Sequence, residues 1–290
     1  MIDTSKVTGP TCRTANKRTI EEVEWPENAQ CAVCLTLDYD AQTLWSSFGV
    51  DKLVQISEAE YGPRVGIWRY LDLLDKWAIK ATFFVPGLTA ERYPESIREI
   101  SRRGHEVAYH GYTHEDLSRL NREEEKKDFE KGIAMIEQHA GMRPVGFRAP
   151  AGEFSPNTID ILLEEGFIYH STCMADDVPY RWEINGKKKD LLEIPFQWML
   201  SDAVHFLFSL AWGPGHISSP SKVYNIWSKE FDGIYEMRRL FCQTSHDFII
   251  GRPSRIILLD KLIRHMKSYP KVWFARCDEV AAYWKKKYWE

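Results

Sequence analysis

The chain has 290 residues, 44% of them hydrophobic and 13% aromatic, which is enough to bury one large core. Its formal net charge is −4 and its positive clusters, such as residues 187–189, are no longer than three residues, so we expect no nucleic-acid partner. No segment approaches the ~20 consecutive apolar residues of a membrane-spanning helix, so we do not expect the chain to span a membrane.

The first 28 residues are polar and contain no apolar stretch. We therefore expect residues 1–28 to be an N-terminal extension, neither a signal peptide nor a membrane anchor, and residues 29–290 to form one domain. The six cysteines are spread singly, as is typical of reduced thiols, and this favours a cytoplasmic protein.

Extended and helical patterns alternate along the chain. Strands are predicted over residues 31–37, 80–85, 105–109, 144–147, 168–173, 191–197, 238–244 and 272–275. Helices are predicted over residues 66–77, 94–103, 117–140, 155–166 and 253–267, and from residue 278 onward. This alternation is typical of βαβ units, and seven or eight strands over this length favour an α/β barrel. No G-x-G-x-x-G follows the first strand, so the dinucleotide-binding motif is absent.

Two cysteines in the first predicted strand form a C-x-x-C pair, which in other contexts indicates zinc or redox chemistry. Residues i and i+3 of a strand point to opposite faces, so Cys31 and Cys34 would not meet. We interpret them as buried, unpaired thiols.

Side chains capable of chemistry lie at the ends of several predicted strands: Asp38 and Asp40, His110 and His114, Arg148, and His246. Strand exits meet at one rim of a parallel barrel, where such folds place their active sites. The arrangement predicts one metal-centred hydrolytic site.

The two aspartates and two histidines have the spacing of a metal site. Asp38 and Asp40 point the same way if the strand continues, and His110 and His114 at i and i+4 suit one face of a helical turn. Two imidazoles and one carboxylate leave room for water, the pattern of catalytic zinc. One aspartate would bind metal while the other takes the proton of the water. The alternative is a solvated strand end and two ordinary histidines.

Two further side chains fit a hydrolytic site. Arg148 could orient the basic aspartate through a charge-assisted pair, or it could be a surface arginine. His246 could protonate a leaving amine, or it could have no catalytic role.

Taken together, Thr36-Leu-Asp-Tyr-Asp40, His110-Gly-Tyr-Thr-His114, Arg148-Ala-Pro-Ala-Gly and His246 resemble the polysaccharide deacetylase family (the NodB homology domain, carbohydrate esterase family 4). The resemblance spans about residues 32–282. It is strongest to the branch of intracellular peptidoglycan-deacetylase-like proteins and metal-independent allantoinases, which share segments like residues 174–180 and 246–255. It implies a distorted (β/α) barrel of seven to eight mostly parallel strands that hydrolyses a non-peptide amide C–N bond.

The resemblance also implies a role for each residue: Asp38 as base, Arg148 as the residue that holds it, His246 as acid, and Asp40, His110 and His114 as ligands of Zn²⁺ or another divalent transition metal. Two positions depart from the family pattern. Tyr39 separates the aspartates where secreted members have Asp-Asp-Gly, and Asp247 follows the acid where relatives often have proline. A carboxylate at Asp247 could raise the pKa of the acid or bind a cationic substrate group.

The predicted substrate contacts are aromatic and acidic side chains near the rim: Trp45, Trp198, Trp212, Asp176 and Asp177. An apolar, enclosed pocket would suit a small or aromatic amide at least as well as a polymer. The leading hypothesis is a metal-dependent deacetylase or small-amide hydrolase, a homo-oligomer acting on a small molecule or an N-acetylated sugar. The alternatives are a metal-independent, allantoinase-like hydrolase of cyclic amides and a non-catalytic carbohydrate-binding protein.

Overall fold

A curled, mostly parallel sheet forms the centre of the protein, whose computed structural model describes residues 22–184, 186–209 and 217–289. Its strands are β1 (Cys31–Asp38), β2 (Thr82–Val85), β3 (Glu106–Tyr109), β4 (Gly146–Phe147), β5 (Tyr169–His170), β6 (Tyr180–Ile184), β7 (Lys187–Glu193), β8 (Leu240–His246) and β9 (Val272–Phe274). The spatial order is β6-β7-β5-β4-β3-β2-β1-β8, and β9 also pairs with β1. Every pairing is parallel except that of β6 with β7.

Helices follow most of the strands and pack on the outer face of the sheet. In the described residues they are α1 (Thr43–Ser47), α2 (Leu53–Tyr61), α3 (Ile67–Trp77), α4 (Gly87–Arg92), α5 (Pro94–Arg102), α6 (Arg122–Ala140), α7 (Thr158–Glu164), α8 (Ala203–Phe206), α9 (Pro220–Met237), α10 (Asp247–Ile250), α11 (Pro253–Lys267) and α12 (Cys277–Tyr288). The predicted distorted (β/α) barrel is confirmed, as a curled sheet with helices around it.

Strand β1 is buried along its whole length because both of its faces are covered. Cys31 and Val33 face the helical layer, whereas Ala32 and Cys34 face the interior of the curl. The two cysteines therefore belong to different cores and form no disulfide, which confirms their interpretation as buried thiols.

A tryptophan cluster packs at the end of the sheet where the strands begin. Trp25 contacts Trp273 and Trp284, with ring centroids 6.2 and 5.5 Å apart, and its Nε1 donates to the carbonyl of Arg238. Residues 22–28, predicted as part of an extension, therefore pack against the barrel. This aromatic layer occupies the interior at the strand starts, so the site lies at the opposite rim.

Strand β6 and helices α1, α2, α4, α8, α9 and α10 were not predicted. Of these, β6 and α9 carried recognisable signals in the sequence. Strand β6 alternates buried and half-buried residues and is followed by Asn185-Gly186, a common hairpin signal. Helix α9 begins after Ser219, whose side chain accepts the N–H of Lys222, with Pro220 in its first turn. Its buried residues recur every three to four positions, as expected of an amphipathic helix.

Candidate active site

The rim formed by the strand ends brings the predicted base and acid together. Asp38 ends β1 and is in register with His246 at the end of β8. Their side chains meet, with 3.9 Å between Nε2 of His246 and Oδ2 of Asp38. The parallel pairing of two strands far apart in sequence therefore creates the contact.

Asp38 is held as an ionised carboxylate by Arg148. The arginine follows β4 and is 3% exposed; its Nη1 donates to Oδ1 of Asp38 at 2.7 Å and to Oγ1 of Thr36 at 2.9 Å. Its remaining donors reach the carbonyl and hydroxyl of Ser171. Burial would raise the pKa of Asp38, but the guanidinium and two nearby histidines lower it below its usual range. The alternative of a surface arginine is thus wrong.

Asp40 and the two histidines form a compact cluster that fits a metal ion. Nε2 of His110 lies 3.6 Å from Oδ1 of Asp40, and Nε2 of His114 lies 3.7 Å from Oδ2. All three side chains are buried, and both carboxylate oxygens of Asp40 lack a hydrogen-bond partner among the described residues. A buried carboxylate without hydrogen-bond donors is unfavourable unless a cation compensates its charge.

Hydrogen bonds to the other ring nitrogen aim both imidazoles at this cluster. Nδ1 of His110 donates to the carbonyl of Arg148 at 2.7 Å, so its Nε2 carries the lone pair. The hydroxyl of Ser47 donates to the carbonyl of Leu44 and therefore accepts from Nδ1 of His114, which leaves Nε2 of that ring free to ligate.

The predicted helical turn between the two histidines is wrong. They lie on a loop, in which Gly111 has a φ of 71° and His114 a φ of 62°. A Cβ on Gly111 would lie 2.8 Å from Cγ of Pro150, so this residue must be glycine both for its conformation and for its contact. The left-handed residues, not a helical repeat, bring the two rings together.

The electrostatics of the cluster also suit a cation. Burial is the main reason why the pKa of Asp40 is raised to about 7. The charge of His246 opposes this shift, whereas the carboxylates of Asp38 and Asp202 add to it. Burial lowers the pKa of His110 to about 4 and that of His114 well below its usual value. Neutral imidazoles are the form that binds metal.

His246 is positioned by Asp202, a residue that the sequence did not reveal. Its Nδ1 donates to Oδ1 of Asp202 at 2.6 Å, and its backbone N–H donates to Oδ2 at 2.9 Å. The N–H of Asp202 itself donates to the carbonyl of Thr244 on β8. Burial would lower the pKa of His246, but Asp202, followed by Asp40 and Asp38, raises it to about 10. The ring therefore stays protonated at neutral pH.

A second missed residue, Glu193 at the end of β7, fixes the loop that follows β5. Its carboxylate accepts the backbone N–H groups of Thr172 and Cys173, each at 2.7 Å. It also accepts from Nδ1 of His170 at 2.6 Å and from Nε1 of Trp182 at 2.9 Å. Ser171 in that loop accepts from the guanidinium of Arg148 through its carbonyl and its hydroxyl. By fixing the loop, Glu193 helps to hold Arg148 beside Asp38.

A cavity of about 210 Å³ opens at this rim. Asp38, His110, His114, Arg148 and His246 line it. A molecule in this cavity would lie directly against the predicted base, two of the predicted metal ligands and the predicted acid.

Of the predicted substrate contacts, Trp198 lies at the cavity mouth and is 46% exposed. The prediction for Trp45 is wrong, because α1 turns its ring inward, where it is fully buried against Phe248. Trp212 lies outside the described residues. The aromatic content of a loop cannot by itself separate a pocket wall from a core residue.

The two predicted acidic contacts, Asp176 and Asp177, do not line the cavity. The carbonyl of Asp177 accepts the N–H of Leu240, which begins β8, whereas His246 ends the same strand. Asp176 accepts the N–H groups of Asp177 and Val178 and so closes a local turn. The segment runs toward the far end of the barrel, and the prediction that these carboxylates bind substrate is therefore wrong.

Asp247 does not face the cavity either. It is fully buried, its Oδ1 accepts the N–H of Ala41 at 3.4 Å, and its carboxyl packs on Gly62. Burial, and then the nearby charge of Asp40, raise the pKa of its carboxyl well above the usual range. The suggestion that it binds a cationic substrate group is wrong. It instead anchors Ala41, which has a φ of 49° directly after Asp40.

Replacing Gly62 by alanine is expected to destabilise the protein by roughly 1–3 kcal/mol, because the new Cβ would overlap the carboxyl of Asp247. The free energy of unfolding by denaturant measures this. Gly233→Ala on α9 is the matched control: its Cβ meets nothing within 4 Å, and stability should stay equal or rise. Equal stability of Gly62→Ala and wild type would contradict the packing described for Asp247.

No helix in the described ranges combines the length and the apolar character needed to cross a membrane.

Comparison with known proteins places the chain among deacetylases. The family model for polysaccharide deacetylase matches residues 59–170. A peptidoglycan deacetylase of Helicobacter pylori is 32% identical over 277 residues, covering 86% of this chain and 94% of that protein. Residues 59–170 include His110, His114 and Arg148.

Two solved structures are similar over most of the chain. One, from Mycobacterium smegmatis and assigned to the polysaccharide deacetylases, has a TM-score of 0.86 and 37% identity over 91% of this chain and 93% of that one. An allantoinase has a TM-score of 0.80 and 27% identity over 91% and 93% of the two chains. The resemblance seen in the sequence motifs is thereby confirmed along nearly the whole described fold.

Proposed function

This chain belongs to the polysaccharide deacetylase family, and on that premise we propose that it is a metal-dependent hydrolase of a non-peptide amide C–N bond. The observation that carries the metal requirement is the buried carboxylate of Asp40, which has no hydrogen-bond donor in the described part of the chain and faces two correctly oriented imidazoles. We further propose Zn²⁺ as the metal, a homo-oligomeric assembly and a cytoplasmic location.

The metal ligands in this proposal are Asp40, His110 and His114, and the donor set suits Zn²⁺ with a position left for water. When bound, the ion supplies Lewis acidity, which lowers the pKa of a water and polarises the amide carbonyl. The buried setting strengthens this effect, because charges interact more strongly where water is excluded.

The remaining steps belong to side chains of the protein. Asp38, kept ionised by Arg148, accepts a proton from the attacking water, whose oxygen bonds to the amide carbon. His246, kept protonated by Asp202, donates its Nε2 proton to the leaving nitrogen as the C–N bond breaks. One carboxylic acid and one amine leave.

The Asp202→Asn variant is expected to shift the alkaline limb of the pH profile of kcat/KM to lower pH. Removing the carboxylate lowers the pKa of His246, so the acid loses its proton earlier as pH rises, while activity at low pH changes less. The profile of each protein from pH 6 to about pH 11, which includes the wild-type alkaline limb, measures this. A variant whose alkaline limb stays at the wild-type pH, at any level of kcat, would show that Asp202 does not maintain the protonated acid.

The proposal is tested with a panel of amides against the metal-loaded protein, including N-acetylated sugars, simple acetamides and allantoin. A deacetylase-like hydrolase releases acetate and free amine from at least one acetamide, and a chelator stops it. Hydrolysis of allantoin alone, undiminished by the chelator, would instead establish the metal-independent, allantoinase-like function that similarity to an allantoinase also favours.

A further inference from the structure

The cavity offers few polar side chains beyond those that perform the chemistry. Among its described lining residues, the remaining polar groups are the hydroxyls of Ser171, Thr172, Ser201 and Thr244 and the indole N–H of Trp198. The oxygens of Ser171, Thr172 and Ser201 already accept the N–H groups of Arg148, Ala149 and Ala203, and Thr244 pairs with Thr36. These few hydroxyls therefore keep only part of their hydrogen-bonding capacity for a ligand. No carboxamide, lysine or glutamate lines the described wall.

The rest of the wall is apolar. It consists of Leu44, Phe48, Ala149, Ala151, Gly152, Phe196, Trp198, Ala203 and Leu207. Trp198 stacks over Gly152, where a Cβ would lie 3.0 Å from its ring, and it meets Phe196 edge-on at 4.8 Å. These two rings, nearly perpendicular to each other, form much of the apolar wall.

The described part of the cavity wall also provides no free countercharge for a charged substrate. Arg148 is its only lining arginine among the described residues, and its donors are directed to Asp38, Thr36, Ser171 and Sγ of Cys242. The charges of Asp38 and of the protonated His246 are used in the proton transfers. A net charge on the substrate body would therefore be buried without a partner, which is unfavourable.

We propose that the substrate is a small, neutral amide with an apolar body rather than a sugar polymer or a polar cyclic ureide. This inference rests on the proposed function and specifies its substrate class. A volume of about 210 Å³ is below the ~300–1,000 Å³ typical of sites for drug-sized ligands, so it admits a compact molecule. A sugar or ureide buried here would lose more hydrogen bonds to water than the few polar side chains of the described wall can replace, which weakens its binding.

The reaction on such a molecule is a simple hydrolysis. Water oxygen bonds to the acyl carbon, the C–N bond breaks, one water proton goes to Asp38, and His246 donates a proton to the nitrogen. The products are one carboxylic acid and one amine, and no oxidant or other reactant is needed.

The test compares N-cyclohexylacetamide with N-acetylglucosamine, which carry the same acetamide on a six-membered ring and differ chiefly in the ring hydroxyls. We expect kcat/KM of the metal-loaded enzyme to be on the order of 100-fold higher for the cyclohexyl amide, mainly through KM. Allantoin should be hydrolysed more slowly than the cyclohexyl amide. Equal or faster hydrolysis of N-acetylglucosamine or its oligomers, or of allantoin, would overturn the apolar substrate class while leaving amide hydrolysis intact. Hydrolysis of none of the three would overturn both.

A wall variant supplies a second readout. Trp198→Ala is expected to raise KM for N-cyclohexylacetamide about 10-fold with little change in kcat, because the ring contacts the apolar body and not the reacting atoms. Met199→Ala is the matched control, since this neighbouring side chain is 40% exposed and outside the cavity lining. If Trp198→Ala instead leaves KM for the cyclohexyl amide unchanged, or lowers KM for N-acetylglucosamine alone, the apolar mouth does not select the substrate.

Discussion

The His114→Asn variant is expected to bind metal at least about 100-fold more weakly and to lose amide hydrolysis in proportion, because even the partners behind a metal ligand contribute 10–100-fold. Asparagine is chosen because His114 has a φ of 62°, a conformation that asparagine tolerates better than most residues. The loss then reports on the imidazole rather than on the backbone. Metal content by mass spectrometry and the rate of amide hydrolysis measure the two effects.

The control for this variant is His139→Ala on α6, a histidine remote from the cluster. It should keep wild-type metal content and activity. Thermal unfolding of both variants separates loss of ligand from loss of fold. A His114→Asn protein that holds one metal per chain and turns over normally would remove His114 from the ligand set.

Replacing Asp38 by asparagine is expected to lower kcat by about 10²–10⁴-fold, the usual contribution of a positioned general base. Asparagine has nearly the same shape and its Oδ1 can still accept from Arg148, but its amide cannot take a proton from water. Metal binding should survive, because Asp38 lies outside the cluster of Asp40 and the two histidines. Single-turnover kinetics and metal analysis on the same preparation measure both quantities.

The Asp38 variant also removes the carboxylate that compensates a buried guanidinium, so its stability must be followed. Loss of one partner of a buried pair destabilises by roughly 3–5 kcal/mol. Rates are therefore compared at a temperature where both proteins are folded, as judged by circular dichroism. A kcat within about two-fold of wild type in folded, metal-loaded Asp38→Asn would show that another group accepts the proton.

The part of the site that the sequence predicted consists of side chains attached directly to strand ends. A buried run followed by a polar residue locates Asp38, Asp40 and His246 at the same rim, whatever the details of the loops. The partners Asp202 and Glu193 could not be found in this way. Asp202 lies in an irregular segment, and Glu193 ends a strand that carries no motif. Their contacts with His246 and Thr172 exist only because the fold brings distant segments together.

Sequence reasoning failed for a different reason at the aromatic and acidic substrate contacts. A helix as short as α1 is too short for a hydrophobic pattern to show which of its faces packs on the core. The burial of Trp45 could therefore not be predicted from the sequence. Likewise, the path of the segment carrying Asp177 depends on its hydrogen bond to the start of β8. Contacts between segments far apart in the sequence determine where both residues lie.

The most direct test of the metal-dependent mechanism is a titration of metal-free protein with Zn²⁺, followed by the rate of acetamide hydrolysis. The site of Asp40, His110 and His114 predicts a rate that is negligible without metal, rises linearly and levels off at one ion per chain. Full activity in the metal-free protein, or no response to any divalent ion, would contradict the account.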